Sequence, residues 1–192
     1  LQDKDSLFIS EPQLNLSRTS TPDNGSNNLV EGNEINHTLT VSNTANVSPA
    51  YVSSAYELTL EEIIPVGERE FDPLDSLTIN KYGVTNKDGV TLAESTDYNT
   101  EYNQSNGKLT IDFLNTEPAI IDKGESLEIN YKTKVDSGIA AGVVLDHKAE
   151  ITKYFGQSSE TTGVKEYSGS VESVSYQTKD SDISLEVISP SD

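Results

Sequence analysis

The residues able to do chemistry in this chain are mostly carboxylates, and few of them are spaced for it. Asp3-x-Asp5 and Asp180-x-Asp182 each set two acids two positions apart, one pair near either end. On extended backbone, residues i and i+2 project to the same side. Each pair therefore offers an oxygen-only face of the kind hard cations take. Asp3, Asp5, Asp180 and Asp182 are the candidate metal ligands and calcium the candidate cofactor, with acidic linker in water as the alternative. No EF-hand loop or nonapeptide calcium repeat accompanies them. The two histidines, His37 and His147, each fall in phase with aliphatic neighbours (Ile35, Leu39, Val41; Leu145, Ala149, Ile151). That pattern reads as core or core-rim rings rather than ligands or bases. The adjacent Glu61 and Glu62, just before Ile63-Ile64-Pro65, read as a solvated strand end. Cysteine is absent, which removes disulfides, thiolate metal sites and a cysteine nucleophile. No nucleophile elbow, phosphate loop or zinc-ligand spacing occurs. No catalytic residue is expected, and the chain is not expected to be an enzyme.

The elements that would position these residues are strands. Ile35, His37, Leu39 and Val41 alternate with Asn36, Thr38, Thr40 and Ser42, the signature of a half-buried strand. It lies within Glu31–Gly67, the clearest period-2 stretch of the chain. Gln13–Thr19 alternates Leu14 and Leu16 with polar residues. Tyr56–Ile64 carries Leu58 and Leu60 inward and ends at a Pro-x-Gly turn. Leu77–Ile79 and Val90–Leu92 flank an Asp88-Gly89 turn, and Tyr98–Leu114 folds back at Ser105-Asn106-Gly107, both hairpin signals. Leu127, Ile129, Tyr131, Thr133 and Val135 share one face of a long strand. Val144–Lys153 alternates again. Gly156–Gly169 reads as a loop, with further strands at Val171–Tyr176 and Ile183–Ile188. Nine or ten short strands and no helical periodicity predict an all-β, immunoglobulin-like antiparallel β-sandwich with extra strands.

Composition bounds the partners. The 192 residues carry a net charge of −19. Nucleic acid and anionic membrane both require a basic footprint, so neither is an expected partner. No apolar run approaches a membrane span. A hydrophobic fraction of 33% suffices for a thin sandwich in which only alternate residues face inward.

With the strands placed, EGNEINHTLTVSNTANVSPAYVSSAYELTLEEIIPVG resembles the opening of an immunoglobulin-like repeat domain found in tandem in large bacterial surface adhesins. Ala140–Leu145 and His147–Ile151 resemble the closing strand of that family, and TEYNQSNGKLTIDFL is similar to hairpins of fimbrial and adhesin stalk domains. The likeness runs from about Leu14 to Ile151. It implies an extracellular, cell-surface location and a structural role, extending and spacing other domains of an adhesin. The partners would be neighbouring repeats of the same chain. The alternative is a carbohydrate- or protein-binding module, with Tyr51, Tyr56, Tyr82, Tyr98 and Tyr102 as an aromatic platform. Some related stalk domains crosslink a first-strand Lys to a last-strand Asn beside an acid. Here Arg18 stands where the Lys is expected and His147 where the Asn is expected. A guanidinium stays protonated and is no amine nucleophile, so no isopeptide bond is expected at these positions.

The ends echo each other. Tyr176–Ser181 is similar to Leu1–Ser6, and Ile183-Ser184-Leu185 with Ser189-Pro190 is similar to Leu14-Asn15-Leu16 with Thr21-Pro22. This reads as one junction of a tandem array seen twice. Residues 1–10 are then linker or the tail of a preceding repeat, 11–180 the sandwich, and 181–192 linker or the start of the next repeat. The chain is expected to be a segment of a longer one.

Overall fold

A computed structural model describes residues 10–22, 28–43, 52–83, 88–158 and 164–179. Two antiparallel sheets face each other. One runs in the order β1 (Leu14–Thr21), β2 (Glu34–Asn43), β8 (Ser126–Lys134), β4 (Thr78–Tyr82), β5 (Val90–Thr91). The other runs β10 (Glu166–Tyr167), β9 (Val144–Phe155), β3 (Tyr56–Ile63), β7 (Lys108–Phe113), β6 (Tyr98–Asn103). A last strand, β11 (Val171–Gln177), shares the edge of β9 with β10. The only departure from strand and turn among the described residues is a single 3-10 turn at Pro73–Ser76. The expected strands are present, with one correction. The stretch 156–169 is not wholly loop, because Glu166 and Tyr167 pair with Phe155 and Tyr154 while Tyr167 stacks on Tyr154. The strand expected at Ile183–Ile188 lies outside the described residues.

Alternation decides which side chains fill the space between the sheets. Leu14, Leu16, Leu39, Val41, Leu60, Ile79, Leu109, Ile111, Leu127, Ile129 and Ile151 form most of a large apolar cluster. Each contributes about 1.5–3 kcal/mol by leaving water. A second cluster of Leu29, Ile35, Val135, Leu145, Val174 and Tyr176 closes one end. The two clusters are separated by a polar layer. Along β2 the inward order is Ile35, His37, Leu39, and along β9 it is Leu145, His147, Ala149, so each histidine sits between a residue of one cluster and a residue of the other.

Two turns fix the segment after β3. Gly107, at φ 73, closes the β6–β7 hairpin, and its carbonyl accepts from Ile64 N–H at 2.8 Å. A Cβ at Gly107 would lie 2.1 Å from the Ile64 carbonyl oxygen. Gly67, at φ 106, turns the chain back so that Glu68 points into the interior. The Asp136 carboxylate then accepts from Arg69 N–H (3.1 Å) and Glu70 N–H (2.8 Å), pinning the turn from below.

The first and last described strands run in the same direction on opposite sheets. Leu16 N–H donates to Ser170 Oγ at 2.8 Å, and Tyr176 Oη donates to Ser20 Oγ. The chain therefore enters at one end of the sandwich and leaves β11 at the other, a strand length of about 25 Å away at roughly 3.3 Å per residue.

Candidate functional site, a buried charge layer

The polar layer is assembled from six strands and one turn. Arg18 enters from β1, His37 from β2, Tyr131 and Thr133 from β8, Glu62 from β3, His147 from β9, Tyr176 from β11, and Glu68 from the turn after β3. Each strand residue is in phase with the aliphatic residues of its own strand. Arg18 follows Leu14 and Leu16, and Glu62 follows Leu60, so the same alternation that builds the core delivers charge into it. In β3 a register shift near Thr59 buries Leu58, Thr59 and Leu60 in succession before alternation resumes.

The geometry centres on Glu62. Its Oε2 accepts from Arg18 Nη2, and its Oε1 accepts from His147 Nδ1 at 3.1 Å. Glu68 Oε2 accepts from His147 Nε2 at 3.0 Å. Arg18 Nη1 donates to Tyr131 Oη (3.1 Å) and to His37 Nδ1 (3.2 Å). His37 Nε2 then donates to Thr133 Oγ1 at 3.0 Å. The side chains of Arg18, Glu62, His147 and Glu68 are all 1% exposed or less. Burying charge at that depth is costly unless it is paired and hydrogen-bonded. Here two cations, Arg18 and imidazolium His147, meet two anions, Glu62 and Glu68, and the layer is neutral as a whole.

Protonation follows from donors and acceptors. An ionised carboxylate only accepts, so both His147 nitrogens, each on a carboxylate oxygen, carry protons. Burial works against that charge, but the hydrogen bonds and charges of Glu62 and Glu68 outweigh it, and the His147 pKa lies above the ordinary 6.5. His37 goes the other way. Burial first, then His147 and Arg18, push it well below 6.5. Its neutral ring stacks on Tyr131 at a centroid separation of 4.9 Å. Burial likewise pushes the Tyr131 hydroxyl well above its usual pKa. Arg18 stays charged despite burial because Tyr131 and Glu62 hold it. Glu68 Oε1 and Arg18 Nε have no hydrogen-bond partner among the described residues.

His37, Glu68 and His147 also offer ligand atoms within 4.8 Å of one another, a donor set that suits zinc or a similar ion. The hydrogen bonds give those atoms other duties. Arg18 occupies His37 Nδ1, Thr133 occupies Nε2, and Glu62 and Glu68 occupy both nitrogens of His147. A divalent ion would also have to share the layer with the Arg18 guanidinium.

One of the sequence expectations changes here, and one is extended. Glu62 is not a solvated strand end, because alternation from Leu60 turns it inward; Glu61 beside it is partly exposed and pairs with Lys108 at 2.7 Å. His37 and His147 are core rings, as their phase implies, but they touch each other across the sheets and belong to a connected network. Asp3, Asp5, Asp180 and Asp182 lie outside the described residues, as does Tyr51. The other tyrosines are divided between the two sheets, with Tyr56 on β3. Tyr98 is core and Tyr102 packs against it from β6, while Tyr82 lies on the opposite sheet. A surface hollow of about 290 Å³ lined by Glu31, Glu70, Lys134 and Asp136 has its carboxylates already engaged. Glu31 accepts from Gly138 N–H (3.1 Å), Glu70 from Ser137 N–H (3.2 Å), and Asp136 holds the turn described above. Among the described residues no helix is long and apolar enough to cross a membrane.

No family model and no curated protein matches the chain. Among solved structures it is similar to BcpA, the major pilin subunit of Bacillus cereus, with a TM-score of 0.57 at 8% identity over 86% of this chain and 40% of the pilin. A variant of the same pilin gives 0.55 at 9% over the same shares. The collagen-binding subdomain of the Enterococcus faecalis surface protein ACE gives 0.49 at 12%, over 93% of this chain and all of that one. The chain thus spans less than half the length of the pilin it matches. At this identity the likeness speaks to fold: the chain is an all-β, immunoglobulin-like antiparallel β-sandwich of the architecture that a bacterial pilin subunit shares.

Proposed function

We propose that this chain is an extender or spacer domain of a large bacterial cell-surface adhesin, tied internally by ion pairs in place of a covalent crosslink. The observation that carries the reading is the placement of Arg18, Glu62 and His147. In the resembling stalk domains, a first-strand Lys and a last-strand Asn meet beside an acid. Here Arg18 on β1 and His147 on β9 meet on the Glu62 carboxylate, donating to its two different oxygens. The tie crosses from one sheet to the other midway along β1. Entry and exit at opposite ends of the sandwich suit a domain that adds length to a chain. Its charged chemistry faces inward, so no enzymatic role is proposed.

On this reading residues 1–10 and 181–192 join neighbouring repeats, and Asp3, Asp5, Asp180 and Asp182 hold calcium at the junction. A thermal melt with and without chelator at millimolar calcium checks the latter; an unchanged midpoint removes it. The spacer role is tested by solution scattering on two copies in tandem, together with a glycan array and immobilised collagen. A particle of about twice the single-copy length with no saturable binding is expected. Specific, saturable binding to either surface would instead favour the binding-module reading.

A further inference from the structure

We propose that the sandwich stores one proton in its interior, on His147 between Glu62 and Glu68, and that loss of this proton leaves an uncompensated negative charge in the buried layer, so that ambient pH sets the domain's resistance to unfolding. The inference rests on reading the layer as one charge-balanced network, and does not depend on the spacer role.

The first support is geometric. Two carboxylate oxygens approach opposite nitrogens of one imidazole at 3.1 and 3.0 Å. Two acceptors need two donors, so a neutral ring leaves one contact without a hydrogen. The second support is charge. The groups facing His147 are Glu62 from β3, Glu68 from the turn, Arg18 and neutral His37 from the opposite sheet, Tyr131 beyond them, and Tyr176 from β11, edge-on at 5.9 Å. Removing the proton leaves one guanidinium against two carboxylates, a net negative charge at a site with side-chain exposure of 1% or less. An uncompensated buried charge of this kind is strongly unfavourable.

The composition makes the effect readable. The chain has two histidines and no cysteine, so between about pH 6.5 and 9 few other groups change charge. The sign follows from proton linkage. His147 is bound more tightly to its proton in the folded state, so its contribution is complete below 6.5 and lost as pH rises through the raised folded value. A loss of one proton lowers the folding equilibrium constant about tenfold per pH unit across that interval.

The test combines imidazole ¹⁵N NMR with urea unfolding from pH 5 to 9. At pH 7.5 the His147 ring is expected to show two protonated nitrogens and the His37 ring one. The urea midpoint is expected to fall above pH 6.5, and His147→Gln to lack that fall. If His147→Gln does not fold, Glu68→Gln serves: with one carboxylate gone, the fall still begins near pH 6.5 but is expected to end at lower pH and to be smaller. A neutral His147 at pH 7.5, or an alkaline limb unchanged in either variant, overturns the proposal. So does a one-equivalent rise in the midpoint on adding zinc at pH 7.5, because zinc would have to displace the proton.

Discussion

The imidazoles of His37 and His147 lie 4.5 Å apart, centroid to centroid, on strands of opposite sheets, and their surroundings drive them in opposite directions. Two carboxylates grip His147, whereas His37 faces a guanidinium and a hydroxyl. One ring is held charged by its two carboxylates, and the other is kept neutral first by burial and then by the charges of His147 and Arg18.

This gives an acid-side prediction for His37. Its folded pKa lies below the ordinary 6.5. The unfolded chain therefore takes up a proton first as pH falls, and the stability held by neutral His37 is present above 6.5 and lost below it. The expected slope is about 1.4 kcal/mol per pH unit. Urea midpoints of the native chain should fall between pH 6.5 and 5, and those of His37→Gln should fall less. With His147 acting on the other side, stability peaks near pH 6.5.

The covalent alternative is checked by mass. The folded chain is expected to have the full mass of its sequence, with no loss of about 17 or 18 Da for ammonia or water. The geometry also predicts how a bond could be installed. Arg18→Lys with His147→Asn places an amine and a carboxamide on either side of Glu62. The amine nitrogen attacks the carboxamide carbon, the C–N bond to the amide nitrogen breaks, and ammonia leaves. Mass spectrometry of the double variant should show a loss of about 17 Da, abolished by adding Glu62→Ala.

Gly107→Ala should destabilise the domain by about 1–3 kcal/mol or more, since the added Cβ meets backbone as well as a positive φ. Gly138→Ala is the control. Its φ is 70 but nothing lies within 4 Å, so it should cost about 1–2 kcal/mol. Thermal unfolding of the two variants compares them directly.

Much of this was legible in the chain. Alternation in Ile35–Val41, Leu127–Val135 and Leu145–Ile151 gave strands and inward faces, and Asn106-Gly107 gave the hairpin. Glu62 was legible in principle, because it shares parity with Leu58 and Leu60, but glutamate beside a turn reads as solvated when its partner is out of view. Arg18 lies 44 positions before Glu62, and His147 lies 85 after it. No local pattern carries pairing over such spans; the sheet order sets β9 beside β3, and the packing of one sheet on the other brings β1 over it. Glu68 is harder still, since a positive-φ turn at Gly67 and the Asp136 carboxylate aim it, and neither is a strand signal.

The tie between Arg18 and Glu62 is tested most directly by a double-mutant cycle on unfolding free energy, using Arg18→Met, Glu62→Gln and the pair at pH 6.5. Each single change leaves a buried partner uncompensated and is expected to cost about 3–5 kcal/mol. The pair together should cost less than the sum, by about 1–3 kcal/mol of coupling. Costs that add to within about 0.5 kcal/mol would mean that the two side chains do not hold the sheets together through one another, and would contradict the account.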